Sequence, residues 1–313
     1  MPTYKCNNHC SYCYNTYASR ITRYEDNWIG VFNGMLSELV RYYNIERVEL
    51  YGGDLGLVQP QKLEYIVRSY RRFCTNDVIT CTNIDLAHGL GFPNERINLS
   101  LNPERKDWMH VRKLLNNIHN CGVITVVTKG LTNKKASLLL NKLRETGFQG
   151  MLTLMPFNWQ PWHDRGQPYV SNFDYCSYVI EALNELSNGG YDFKISNKIL
   201  IKQALEGTYT PYMENNIFIT PHCSWACVDF ETSGHYQGAE YFREFNSLKK
   251  WQEYCQKERT NRIFRCGTCE YFNSCLAEHC KTEAQLKVPE RTDICNGYIP
   301  LIEWGKEHYG LGN

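Results

Sequence analysis

Three cysteines crowd one short segment near the amino terminus of the 313-residue chain. Cys6, Cys10 and Cys13 follow one another in the stretch CNNHCSYCY. Four protein thiolates are the usual complement of a [4Fe-4S] cluster, so three cysteines leave one iron open to another ligand. The spacing therefore predicts a cluster whose fourth iron takes part in chemistry. Three close cysteines can also hold zinc, which is the alternative metal for this segment.

The segment resembles the cluster loop of radical S-adenosylmethionine (SAM) enzymes, because Asn7 follows the first cysteine and Tyr12 and Tyr14 flank the last. The resemblance implies that the open iron binds SAM, and that an electron from the cluster splits SAM into methionine and a 5′-deoxyadenosyl radical. It also implies an external electron donor such as flavodoxin or ferredoxin. The protein's own part is to hold the cofactor and to aim the radical at one C–H bond.

Charge and hydropathy argue against a polyanionic partner and against a membrane. The 34 Lys and Arg residues nearly balance the 33 Asp and Glu residues, so no strong field attracts nucleic acid. No apolar run has the length of a membrane span, and MPTYKCNN lacks the apolar core of a signal peptide. We therefore expect a cytoplasmic protein. Disulfides are disfavoured there, so the fifteen cysteines favour metal ligation.

Short β-rich segments alternate with amphipathic segments, which is the pattern of an α/β fold with a parallel sheet. The sequence predicts a second to a sixth strand at 47–51, 78–81, 97–101, 123–127 and 151–154, and helices at 28–43, 61–72, 105–120, 134–146 and 173–188. Six strand-helix units fall short of a closed eight-unit barrel. The family resemblance implies the partial (β/α)6 TIM-like barrel of radical SAM enzymes, which we assign to residues 1–206.

Polar residues follow the predicted strands, at the edge where barrel-like folds gather their chemistry. Glycines let a backbone approach a ligand closely, and a carboxylate accepts hydrogen bonds from an ammonium group. Radical SAM enzymes carry Gly-Gly-Glu after the second strand, so the resemblance implies that Gly52, Gly53 and the shorter Asp54 bind the amino group of SAM. It implies contacts with SAM or substrate for Thr82, Asn83, Ser100, Asn102 and Lys129, for which ordinary strand-end polarity is the alternative, favoured at Asn102 and Lys129. It places Tyr12 near the adenine, although this ring can instead shield the cluster from water.

From residue 207 onward the composition changes to cysteines, aromatics and loops, and we assign residues 207–313 to a small cysteine-rich iron-sulfur domain. This region resembles the SPASM domain of radical SAM peptide maturases, which carries auxiliary [4Fe-4S] clusters. The resemblance implies one or two such clusters here. It assigns Cys227 and Cys280 to the proximal cluster, and it assigns four further cysteines to the distal one: Cys266, Cys269, Cys275 and Cys295. Zinc suits the Cys-x2-Cys pair equally well.

Cys223 lies four residues before Cys227 in PHCSWAC, and two roles are open to it. It can be a third ligand of the proximal cluster, leaving an iron for His222 or for the substrate. Alternatively it is a catalytic thiol that donates a hydrogen atom to a substrate radical, as cysteines do in radical SAM epimerases. The remaining cysteines of the predicted strands and helices are expected to be buried apolar residues: Cys74, Cys81, Cys121, Cys176 and Cys255.

The stretch FNWQPWHD at 157–164 follows the strand predicted at 151–154. Its aromatic rings can line the bottom of a peptide site, or they can cover a gap in an open barrel. The SPASM resemblance implies a ribosomally made peptide substrate that is crosslinked, epimerised, oxidised or shortened by excision of backbone atoms. Because the chain begins five residues before Cys6, we expect a separate small leader-recognition protein, or else a short or leaderless substrate.

Two other functions stay open at the level of the sequence. The first is a radical SAM dehydrogenase that acts on a small molecule or on a protein Cys or Ser. The second, from a different class, is a non-catalytic iron-sulfur or zinc protein that serves as a scaffold or electron carrier. Cleavage of SAM separates this second function from the enzymatic ones.

Overall fold

The computed structural model describes residues 28–50, 53–76, 78–83, 96–102, 107–118, 121–156, 170–208, 217–219, 225–228, 242–266, 271 and 298–310. Many predicted site residues lie outside these ranges, as does the aromatic stretch 157–164: Cys6, Cys10, Tyr12, Cys13, Gly52, Cys223, Cys269, Cys275, Cys280 and Cys295. Only the backbone is described for Asn83, Cys227 and Cys266.

Six strands form one parallel sheet in the order in which they occur along the chain. They are β1 Val48–Leu50, β2 Val78–Asn83, β3 Arg96–Ser100, β4 Cys121–Val126, β5 Met151–Met155 and β6 Lys194–Ile195. A sheet whose successive strands are neighbours and parallel is built from right-handed strand-helix-strand units, as in β/α barrels. The α/β class and the sequential parallel sheet expected from the sequence are thus confirmed.

Within the described ranges, one α-helix precedes the parallel sheet, five lie between its strands in the sequence, and one follows its last strand. They are α1 Trp28–Leu39, α2 Pro60–Arg71, α3 Trp108–Asn117, α4 Lys129–Thr132, α5 Ala136–Glu145, α6 Asn172–Ser187 and α7 Ser196–Leu205. Their starts follow from local chemistry. Pro60 opens α2, where its missing N–H is not needed. The side chains of Asp107 and Ser171 accept hydrogen bonds from backbone N–H groups at the starts of α3 and α6.

The side chains of the strands alternate between two faces of the sheet. The core face carries Leu50, Leu99, Val123 and Leu152, which share one buried hydrophobic cluster with residues of the helices. The open face carries the buried Ile79 and several half-buried side chains: Cys81, Asn98, Ser100, Ile124 and Thr153. The core face packs against the helices.

A second, antiparallel sheet follows in the chain and consists of β7 Phe218–Ile219, β8 Trp225–Val228 and β9 Phe242–Phe245. The long helix α8, Leu248–Cys266, comes next, and α9, Ile299–Tyr309, closes the described part of the chain. Although α9 belongs to the region assigned to the second domain, Trp304 Nε1 donates to Asn184 of α6 at 2.8 Å. The division between residues 206 and 207 stays a prediction.

Gly305 allows α9 to lie directly on α7. A Cβ atom at Gly305 would come within 2.5 Å of Ile201 Cγ2 and 2.8 Å of Leu205 Cδ1. The absent side chain therefore permits close packing of the two helices. None of the helices in the described ranges combines the length and the apolar composition that crossing a bilayer requires.

The buried hydroxyl groups of Thr80 and Thr125 indicate positions at which a substitution should stabilise the protein. Both residues are 0 % exposed, and neither hydroxyl has a hydrogen-bond partner in the described part of the chain. A buried hydroxyl without a partner has lost its water without compensation, so we expect Thr80→Val to raise the free energy of unfolding by about 1 kcal/mol. Urea denaturation measures the difference.

Thr82→Val is the matched control, because the Thr82 hydroxyl is bonded to Asp54 and is 3 % exposed. This variant should lose about 1 to 2 kcal/mol. An equal loss in Thr80→Val would contradict the interpretation, since it would mean that the Thr80 hydroxyl also makes a favourable bond.

Candidate functional site

The register of the parallel sheet brings three of the predicted cofactor positions to one edge. Asn83 at the end of β2 pairs with Ser100 at the end of β3, and Asn102 follows two residues later. The side chains of Ser100 and Asn102 are half-buried. Hydroxyl and amide groups donate and accept hydrogen bonds without carrying charge. This edge therefore offers uncharged donors and acceptors to a polar ligand.

Asp54 has different surroundings from those expected. Its carboxylate is 1 % exposed, and its Oδ1 accepts a hydrogen bond from Thr82 Oγ1 at 2.6 Å. The same oxygen accepts from the backbone N–H of Gly56 at 3.0 Å and thereby caps the 3₁₀ turn Leu55–Leu57. Thr82 pairs with Leu99 and shares the core face with it. The structure therefore brings the side chains of Asp54 and Thr82 together, but on the face opposite Ser100.

Lys129 is already engaged in an ion pair. Its Nζ atom lies 2.9 Å from Oδ2 of Asp174 in α6, and the two side chains are 33 % and 35 % exposed. A half-exposed pair of this kind contributes at most about 1 kcal/mol to stability. The pair can open at small cost, but the Lys129 ammonium has a partner before any ligand arrives.

Asn98 is a polar residue of the open face that the sequence analysis did not select. It lies two residues before Ser100 on β3 and pairs with Gly122 of β4. A Cβ atom at Gly122 would lie 2.5 Å from Asn98 Oδ1, so the missing side chain leaves room for the amide. The signal was present in the sequence, because Asn98, Ser100 and Asn102 recur with the period of two that marks one face of a strand.

Asn197 fixes the end of β5, from which the chain continues into the stretch 157–164. The partner strand β6 ends at Ile195, so Leu154 has no backbone partner in that direction. Asn197 replaces it: the Leu154 N–H donates to Asn197 Oδ1 at 3.0 Å, and Asn197 Nδ2 donates to the Leu154 carbonyl at 2.9 Å. One side-chain amide thus continues the hydrogen-bond ladder where the strand has stopped.

Tyr175 of α6 completes this arrangement. Its hydroxyl donates to the Leu154 carbonyl at 2.7 Å and accepts from Asn197 Nδ2 at 3.0 Å. Burial, with a smaller contribution from Cys176, raises the pKa of Tyr175 above its usual range. The phenol therefore stays protonated and keeps its role as a donor at any pH at which the protein is handled. Sequence reasoning missed both residues, because only the short length of β6 creates the need for them.

The contacts of Asn197 predict a large loss of stability when its amide is removed. Asn197→Leu leaves the buried Leu154 N–H without a partner, so we expect the free energy of unfolding to fall by about 2 kcal/mol. Lys198→Ala, at the exposed neighbouring position, should change it by less than about 0.5 kcal/mol. Equal effects of the two substitutions in urea denaturation would contradict the bonding described for Asn197.

The predicted ligand cysteines cannot be assembled from the described residues. Cys227 lies within β8 and Cys266 is the last residue of α8. Within the described ranges, no three His, Cys, Asp or Glu side chains come together as a metal site. The expectation of buried apolar cysteines is confirmed for Cys121 and Cys176, whereas the other three are only half-buried: Cys74, Cys81 and Cys255.

The buried thiol of Cys121 leads us to expect that the protein loses stability at alkaline pH. Burial raises the pKa of this thiol from its ordinary 9.0 to about 11. Its contribution to stability is complete below pH 9 and is lost as the pH rises to about 11, because the unfolded chain releases the proton first. The slope amounts to about 1.4 kcal/mol per pH unit. The difference in unfolding free energy between pH 8 and pH 10.5 should shrink in Cys121→Ala but not in the half-buried control Cys255→Ala.

Sequence comparison gives no relative for this chain, whereas comparison of folds gives clear ones. No family model matches the sequence, and no curated protein matches it. Among solved structures, native anSMEcpe with bound AdoMet and Kp18Cys peptide has 14% identity and a TM-score of 0.67 over 99% of this chain and 95% of that chain. SuiB from Streptococcus suis has 13% identity and a TM-score of 0.60 over 93% of this chain and 74% of that chain.

SuiB has also been solved with bound S-adenosylmethionine, with 12% identity, a TM-score of 0.55 and coverage of 94% of this chain and 73% of that chain. At such identities the likeness concerns the fold alone. It confirms the α/β architecture that the family resemblance implied, and it extends over nearly the whole chain. The roles of individual residues stay predictions.

Proposed function

We propose that the chain is a radical SAM enzyme that abstracts a hydrogen atom from a residue of a ribosomally made peptide. One observation carries the proposal: a fold shared over 99% of the chain with a protein solved with both AdoMet and a peptide bound. The cysteine segment at residues 6–13 supports it independently, because its resemblance to a SAM-binding cluster loop was drawn from the sequence alone.

The proposed cofactors are SAM and a [4Fe-4S] cluster held by Cys6, Cys10 and Cys13. When bound, the cluster would supply the electron that converts SAM to methionine and the hydrogen-abstracting 5′-deoxyadenosyl radical. The donors at the described edge fit SAM, since Ser100 and Asn102 offer half-buried hydroxyl and amide groups for its ribose or carboxylate. Because glycine has no Cβ atom, Gly52 and Gly53 are proposed to let the backbone approach the amino group closely.

Around this edge, the protein's task is to orient SAM and substrate and to limit water. Lys129 is half-exposed and paired with Asp174, so it can exchange its carboxylate partner for a ligand carboxylate. Asn98 offers an amide to a ligand that lies deeper on the open face. Asn197 and Tyr175 hold the end of β5, the strand that precedes the aromatic stretch 157–164 in the sequence.

In the cysteine-rich region we propose one or two auxiliary [4Fe-4S] clusters, with the distal cluster on Cys266, Cys269, Cys275 and Cys295. Cys227 and Cys280 are proposed for the proximal cluster. Cys223 is either the third ligand there or the thiol that returns a hydrogen atom to the substrate radical. An electron donor such as flavodoxin or ferredoxin, a leader-recognition protein and a cytoplasmic location complete the proposal.

The proposal predicts that the anaerobically reconstituted, reduced chain releases 5′-deoxyadenosine from SAM. Cys13→Ala should abolish the release, because two cysteines cannot hold the cluster in its reactive form. Cys74→Ala is the matched control, since Cys74 is a half-buried cysteine beyond the end of α2 and should leave the release unchanged. Liquid chromatography of the quenched reaction measures the product.

The same assay distinguishes the proposed enzyme from a scaffold. Release that persists in Cys13→Ala would assign the activity to a contaminant. Absence of release from the wild type, with its cluster verified by absorption and iron content and with candidate peptides present, would favour the non-catalytic iron-sulfur or zinc protein.

A further inference from the structure

Radical SAM enzymes carry Glu after the two glycines, whereas this chain carries Asp54, and the structure explains the shorter side chain. A ligand-binding carboxylate has to reach the face of the sheet where the ligand lies. The Asp54 carboxylate is 1 % exposed and bonded to Thr82, whose side chain shares the core face with Leu99. The polar groups nearest in register, on Ser100 and beyond, occupy the open face.

We infer that Asp54 does not bind SAM but is a positioning residue, which together with Thr82 ties the loop after β1 to the end of β2. The inference deepens the proposed function and rests on it for the identity of the ligand. Each partner of the tie is followed or preceded by a residue proposed to contact SAM: Gly53 precedes Asp54, and Asn83 follows Thr82. The Asp54–Thr82 bond of 2.6 Å thereby fixes the distance between the two contacting segments.

The length of the side chain follows from this role. Oδ1 of Asp54 also accepts from the N–H of Gly56 at 3.0 Å, which is the bond of an N-cap. Aspartate is among the favoured N-cap residues because its carboxylate is short enough to bend back to the backbone two or three residues on. Glutamate at the same place has one more methylene group, which moves its carboxylate away from the position that caps the turn.

If Asp54 serves to tie two segments together, the position of its Oδ1 atom matters more than the negative charge of its carboxylate. An asparagine side chain retains Oδ1 as an acceptor for both Thr82 and Gly56. A carboxylate that binds an ammonium group directly, in contrast, depends on its charge. The amide variant therefore separates a positioning role from a ligand role.

The test compares SAM affinities of the full chain, reconstituted anaerobically with its cluster, by isothermal titration. Asp54→Asn should keep the dissociation constant within about threefold of the wild type. Asp54→Ala and Thr82→Val should each weaken binding about tenfold or more, and the double variant should be no weaker than the poorer single variant, because one bond is lost in all three. Asp54→Glu should also weaken binding.

A SAM analogue that lacks the α-amino group provides the decisive comparison. If Asp54 contacted the ammonium group, Asp54→Asn would weaken SAM tenfold or more but leave the affinity for this analogue unchanged, and that result would overturn the inference. A positioning role predicts that Asp54→Ala weakens SAM and the analogue by similar factors, because the whole binding edge shifts.

Thr146→Val is the control for a general loss of stability. Thr146 is as buried as Thr82, at 3 % exposure, and its hydroxyl donates at 2.6 Å to the Leu143 carbonyl at the end of α5. That end of the helix lies just before β5, at the opposite edge of the sheet. The variant should unfold at a lower denaturant concentration, like Thr82→Val, and yet bind SAM within twofold of the wild type.

Unfolding without SAM tests the tie separately from the proposed function. The effects of Asp54→Ala and Thr82→Val on the unfolding midpoint should be strongly non-additive, and additive effects would contradict the tie. A wild type that binds no SAM would refute the proposed function and the ligand half of this inference, while the unfolding data would still report whether the bond exists.

Discussion

The parallel register of β2, β3 and β4 is the constraint on which the rest of the structure depends. Parallel pairing aligns the carboxyl ends of the strands, and side-chain alternation then divides every strand between a core face and an open face. The register gives successive residues of a strand partners on opposite faces, because Thr82 pairs with Leu99 of the core face while Asn83 pairs with Ser100 of the open face. A shift by one residue would move the polar groups of the open face into the helix-covered core.

This division gives neighbouring residues opposite roles. The Thr82 hydroxyl donates to Oδ1 of Asp54 within the core, where an unpaired hydroxyl would be costly. Asn83 and Ser100, one position along, occupy the edge at which a ligand can be reached. Thr82 is thus bonded within the core, while the next residue along the chain ends the strand at the edge of the sheet.

The ends of the sheet are completed by side chains and by a remote helix rather than by longer strands. Asn197 continues the hydrogen-bond ladder of β5 where β6 stops, and Tyr175 supports the same carbonyl group. The ring of Tyr298, just before α9, packs against Tyr175 with ring centroids 5.4 Å apart. The last described helix thereby supports the strand that leads to the aromatic stretch at residues 157–164.

The sequence by itself determined the order of strands and helices, because hydrophobic periodicity and capping are local properties. All five predicted strands lie within two residues of the observed ones, and α6 begins at Asn172 instead of residue 173. Within the parallel sheet only β6, two residues long, has no predicted counterpart, since a strand so short has no period to detect. The antiparallel strands β7, β8 and β9 were not predicted either. Helix α1 ends at Leu39, before the predicted residue 43, because residues 40–42 form a turn.

The tertiary structure alone decided which polar residues face the open side and which form hydrogen bonds or ion pairs within the protein. In the sequence, the motif Gly-Gly-Asp and the threonine near the end of β2 both look like ligand contacts. In the structure, Asp54 and Thr82 bond to each other across 28 positions, and Asp54 also bonds to its own local turn. Lys129 bonds to a residue 45 positions away. Hydrogen bonds between distant segments leave no periodic trace in a single sequence. The spacing of Cys6, Cys10 and Cys13, in contrast, is visible in the sequence itself, because all three thiols lie within eight consecutive residues, and the cluster that they are proposed to hold stays a prediction.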